Sequence, residues 1–353
     1  MAWPDDPIAA VTHPDPYPYY ASLAAEPMRR HPALSLLVAA RADDVAAVLS
    51  SPLVRVRPPA ERVPRAIAGG AAGALFGRLV RMTDGAEQEH AKRAVRTALA
   101  SVDAAEARAA ARSHAALRAE ALDLQDRTER AMDVAWHAPV RTIAELIGLH
   151  PADEAPRWTR ALAGGFAAGA GPEEGARSSE AAARLHGGLT GTSLHGALGA
   201  AADGLDADWV AANALGFLSQ TLEATAGLVG NALVAAGRSP DRWRAPVDAL
   251  VGHVLRHDPP VHNTRRFVAE PGTVAGVPVA SGDAILVVLA AAALPFGAGG
   301  HACPGDALAS ALAAGTLDAL LASGLDPAEL AHPLRYRPSP NVRVPVFAEG
   351  GLA

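Results

Sequence analysis

Apolar positions return at helical spacing along most of this chain. Alanine fills Ala104–Ala121, and apolar side chains recur every three or four residues through Ala131–Leu149, Ala207–Ala236, Pro246–His257 and Gly305–Leu325. That period puts one stripe of side chains on one helix face and predicts amphipathic or buried helices. Four short runs break the pattern: Leu36–Ala39, Arg266–Val268, Thr273–Val279 and Ala284–Leu289 are β-branched and separated by Pro271-Gly272, Ala275-Gly276 and Ser281-Gly282-Asp283. Such runs between turn residues predict strands. The expected fold is mainly α with a small β-sheet. No linker and no repeat divides the chain, so one domain over 1–353 is expected. Between Gly164 and Gly199 the text turns to Gly, Ala and Ser with scattered charge, which predicts mobile helices and loops serving as a lid, or a solvated connection.

Half of the residues are hydrophobic and the formal net charge is -6, enough to bury a core and no electrostatic reason to expect nucleic acid. One cysteine cannot form an internal disulfide, and the opening MAWPDDPIAAV has neither a basic start nor a long apolar run, so a cytoplasmic protein is expected. Apolar stretches such as Ala284–Pro295 fall short of the roughly 18–20 residues that span a bilayer, so no membrane anchor is expected.

The one cysteine, Cys303, lies in F-G-A-G-G-H-A-C-P-G, residues 296–305. Downstream, Pro304 suits the start of a helix that Gly324 can end. A thiol at that helix N-terminus is expected to ionise easily and to act as a metal ligand or nucleophile; the plainer reading is a small buried hydrophobe. The neighbours favour the first. Gly297, Gly299 and Gly300 permit a tight turn and close approach to a flat ligand, Phe296 offers a ring to pack on it, and His301 can donate to a carboxylate.

This segment resembles the haem-binding loop of the cytochromes P450, F-G-x-G-x-H-x-C-x-G, matched at Phe296, Gly297, Gly299, His301, Cys303 and Gly305. The resemblance implies the P450 fold, haem b as cofactor, Cys303 as axial thiolate on its iron and His301 on a haem propionate. It extends, in the family's order, to Met82–Arg96, whose His90 is expected at a propionate, to Ala131–His150, and to Leu255–Val268, where the haem-contacting arginine falls on Arg266.

Departures from the family pattern carry information too. In LSQTLEATAGLVGN, Glu223 takes the acid position of the family's acid–alcohol pair and Ala224 that of its threonine, with Thr225 next along and Gln220 and Thr221 where a small pair is usual. One residue on a helix turns a side chain by about 100°, so Thr225 does not simply replace the missing hydroxyl. The family's E-x-x-R reads H-V-L-R, with His253 before Arg256, and its meander before the loop is absent, a truncation near the haem loop. The two losses go together, because a buried glutamate without its partners would be an unpaired charge. His253 and His257, four apart on a helix, are two candidate metal ligands, too few by themselves to make a metal site. The arginine usual four residues after the C-helix histidine is Ala94, with Lys92, Arg93 and Arg96 as replacements.

The resemblance implies an enzyme oxidising or rearranging a small organic molecule in natural-product metabolism, with dioxygen and ferredoxin/ferredoxin reductase, or with peroxide, and with Glu223, Gln220 or the substrate handling protons. Because Ala224 has no hydroxyl, chemistry needing less proton delivery gains weight, such as coupling, peroxide-driven oxidation or rearrangement. The alternative is a P450-derived accessory protein without haem that binds and activates a glycosyltransferase. Arg55, Arg57, Arg62 and Arg65 read as a solvated face or ferredoxin-docking patch, or as contacts to an anionic substrate.

Overall fold

The computed structural model describes residues 3–330 and 334–347. Its centre is the helix Ala207–Gly237, opened by Asp206, whose carboxylate accepts the Trp209 N–H at 2.7 Å. This helix is buried on most sides, as its nearly continuous apolar text requires. Ala131–Leu146, Val247–His257 and Asp306–Ala322 pack around it. Asp306–Ala322 lies so close on Ala104–Ala121 that a Cβ on Gly315 would stand 2.2 Å from the Arg108 carbonyl oxygen. Arg108 pins the same contact through Asp318 at 2.8 Å and Asp248 at 2.9 Å.

The expected strands form, with differences at their ends. Ala284–Val287 pairs in parallel with Leu37–Ala39 and antiparallel with Thr264–Val268, and the two-residue strands Arg29–Arg30 and Val54–Arg55 close the edges. Those edge strands are too short to show a period in sequence. Thr273–Val279 is a hairpin that turns at the expected Ala275-Gly276: Gly272–Val274 returns as Val277–Val279 through these two residues, both at positive φ.

The 164–199 segment is more ordered than a solvated connection. It contains the helices Pro172–Gly187 and Ser193–Ala201, and Ser178, fully buried, donates to the Leu162 carbonyl at 2.7 Å. Among the described residues, no helix is long and apolar enough to cross a membrane. From Val287 the chain turns back through residues 288–298, where Leu294 N–H bonds to the Leu289 carbonyl at 3.1 Å and Gly297 N–H to that of Leu294 at 3.0 Å. These turns deliver the glycine-rich loop to the head of Asp306–Ala322.

Candidate functional site

The loop is closed by its own backbone: Cys303 N–H donates to the Phe296 carbonyl at 2.8 Å, bringing ring and thiol together. Two of its glycines are obligatory. Gly297 and Gly299 hold φ of 68° and 66°, and a Cβ on Gly299 would meet the Leu49 carbonyl oxygen at 2.9 Å. On Gly297 the same Cβ would find nothing nearer than 4.0 Å, leaving open space beside the loop.

Cys303 itself is exposed, while the surrounding protein partly desolvates its thiol. Burial pushes the thiol pKa up, and Asp306 adds to that, against the Gly305 N–H and the Lys92 ammonium. This corrects the expectation of an easily ionised thiol. The helix begins at Asp306, with Gly305 at its cap, so Cys303 stands outside the first turn, where the dipole acts most.

Cationic side chains converge on this loop from three elements. His301 Nε2 lies 3.2 Å from the Asp84 carboxylate, which also accepts the Val56 N–H at 3.2 Å. Burial would raise Asp84, but those two bonds and the nearby His301 and Arg55 charges outweigh it and hold the carboxyl below its ordinary value. Arg266, buried in the strand Thr264–Val268, donates to Thr264 Oγ1 at 3.3 Å and to its neighbour's carbonyl at 2.8 Å. Burial lowers its pKa, with Asp84 opposing, so the two belong to one cluster.

The third contribution comes from the helix Gly85–Ala100, and not through His90. That ring turns to the Asp203 carbonyl at 2.7 Å and to Arg93 at 3.2 Å, away from the loop. Gln88 and Lys92 take the loop-facing positions: Gln88 Nε2 donates to the Gly300 carbonyl at 3.1 Å, and Lys92 Nζ to those of Gly300 and Ala302, both at 2.6 Å. A sequence signal for this exists. Gln88 continues the buried stripe Ala91, Ala94, Val95 and Ala98, and Lys92 follows it by one turn, whereas His90 is half a turn off.

On the central helix, Gln220 is exposed and Thr221, Glu223 and Ala224 are partly open within an otherwise buried stretch. Thr225 is buried, on the core side. Gln220 Nε2 is tied to the Gly216 carbonyl at 2.9 Å. Glu223 is ion-paired with Arg337 and lies near Arg81, whose Nε is buried with no hydrogen-bond partner among the described residues. Burial pushes the Arg81 guanidinium down to about 10, with Glu223 opposing. The arginines of the preceding segment divide. Arg55 and Arg57 fold back onto carbonyls of Pro52, Val54, Glu61 and Arg62, while Arg65 points outward.

A haem would need a reachable sulfur, free space beside it and cations for its two carboxylates. The residues fit: Cys303 is open, Gly297 leaves room, and His301 and Arg266 beside Asp84, with Lys92 on the loop carbonyls, supply N–H donors around the loop. Among the described residues, no group of three or more His, Cys, Asp or Glu could hold a metal ion, His253 and His257 included.

No family model matches the chain. The cytochrome P450 monooxygenase PikC of Streptomyces venezuelae is 28% identical over 267 residues, a match covering 62% of this chain and 62% of that protein, so less than two thirds of PikC is matched. Among solved structures, CalO2 superposes with a TM-score of 0.76 at 22% identity, over 99% of this chain and 100% of that one. P450BioI, in complex with an acyl carrier protein ligated to hexadec-9Z-enoic acid, does so at 0.75 and 17%, over 95% and 98%. These likenesses show the fold, and Cys303 is the one cysteine of the sequence.

Proposed function

The chain has the fold of the cytochrome P450 superfamily, and from that premise we propose that it is a haem-thiolate oxidoreductase acting on a small organic molecule in natural-product metabolism. The observation that carries this reading is Cys303, open to solvent in a glycine-shaped loop ringed by His301, Lys92 and Arg266.

Haem bound there would supply oxidant activation, favoured by electron donation from an anionic sulfur. The chain's own residues do the rest. The Gly305 N–H and Lys92 favour the thiolate against burial, which suits Cys303 to serve as the ligand that would hold the haem iron. His301, Arg266 and Lys92 would hold the haem carboxylates, with Gln88 keeping the Gly300 carbonyl in place. On the central helix Ala224 offers no hydroxyl and Thr225 is buried on the core side. Glu223 is held by Arg337, so carrying a proton first requires opening an ion pair. Slow proton delivery follows, which favours substrates that manage their own protons, and peroxide, coupling or rearrangement chemistry over ordinary hydroxylation. Electrons for the oxygen-dependent route would come from a ferredoxin-like donor.

Absorption spectroscopy tests the reading. The purified protein, loaded with haem, reduced and exposed to carbon monoxide, should give the red-shifted band of thiolate ligation, and Cys303→Ser should lose it. Failure to take up haem at all would overturn the proposal and turn attention to a partner protein.

A further inference from the structure

Further along the central helix, beyond Ala224, a cavity of about 340 Å³ opens between the helix end, residues 238–242, the end of Val247–His257 and the segment around Tyr17. Its charges fall into two groups. Asp258 and Arg343 form a closed pair, Arg343 Nε lying 3.0 Å from the carboxylate, which also accepts the Tyr17 hydroxyl at 2.8 Å. The rest of that guanidinium is used by the carbonyls of Val11, His13 and Pro14, so this pair carries no spare charge into the cavity.

The second group is unspent. Arg238 and Arg242 line the cavity, both are exposed, and neither guanidinium makes a hydrogen bond or ion pair with any described residue. Opposite them stand His253 and His257, ring centroids 4.5 Å apart. Burial holds His253 below its ordinary pKa, with Arg242, His257 and Arg256 adding to it and Asp258 opposing. Asn231 also lines the space, and its buried Oδ1 has no donor among the described residues. Asp15 is the remaining acid at the rim.

We propose that this cavity is a binding site for a small phosphate-bearing molecule, its phosphate clamped between Arg238, Arg242 and the His253–His257 pair. Two free guanidiniums and two imidazole N–H groups present the donors that phosphate oxygens accept. The volume exceeds a bare phosphate and leaves room for the remainder of such a ligand.

Pyrophosphate is the probe. Titrated into the full chain at constant ionic strength, it should shift the imidazole NMR signals of His253 and His257 saturably and raise the melting temperature. Arg238→Ala/Arg242→Ala should weaken binding at least tenfold while leaving the melting temperature of the free protein unchanged, because neither side chain has a partner to lose. His253→Gln/His257→Gln, on the opposite wall, should weaken it as well. Histidine signals that stay still at millimolar pyrophosphate, or equal affinity in both double variants and the parent, would overturn the site.

Discussion

Ala224 puts a methyl group where the resemblance leads one to expect a hydroxyl, and its surroundings do not repair the loss. Thr225 is turned into the core and Glu223 is engaged by Arg337. Ala224→Thr should therefore raise the product formed per oxygen consumed toward full coupling, and speed turnover by up to the roughly 10²-fold that a positioned proton donor contributes. Oxygen uptake measured against product checks this; an unchanged ratio would mean that protons do not pass this point of the helix. Gln220 and Glu223 were identifiable from sequence as neighbours of Ala224 in the family pattern, because helical spacing is local. Arg81 was not, since its approach to Glu223 depends on how a separate segment crosses the central helix.

At the scale of elements, the contact between Asp306–Ala322 and Ala104–Ala121 governs how the thiol loop is seated. The glycine at 315 is required there because the Arg108 carbonyl occupies the place of its missing side chain. Gly315→Ala should destabilise the protein by about 1–3 kcal/mol, the cost of forcing atoms into a filled contact. A chemical denaturation midpoint that does not move would show that the pair can separate freely. The helix Gly85–Ala100 teaches the complementary lesson. Its existence was legible, but its rotation decided whether His90 or the Gln88–Lys92 pair met the loop. The buried stripe of Ala91, Ala94, Val95 and Ala98 sets that rotation.

For the molecule as a whole, buried histidines tie stability to pH. His137, between Ala104–Ala121 and its own helix, is pushed down to about 4 by burial and by Arg118, Arg141 and His114, against Asp153. The unfolded chain binds that proton near the ordinary value of about 6.5, the folded chain near 4. Its contribution is therefore complete above about 6.5, erodes as pH falls toward 4, and levels off below. Unfolding free energy followed across that range should fall less steeply in His137→Gln; parallel curves would mean the imidazole is not the group taking up the proton. The main helices, the core strands and the loop 296–305 were all determined by sequence alone, because periodicity, turn residues and ligand spacing are local properties. Tertiary structure alone decided the rest. Arg343 reaches Val11 and His13 across the whole chain, Cys303 sits before the cap of the helix Asp306–Ala322, and the segment around Tyr17 together with Arg343 closes a cavity against residues 231–258. Each of these depends on which way a side chain faces and what a distant segment places against it, and neither is encoded in local spacing.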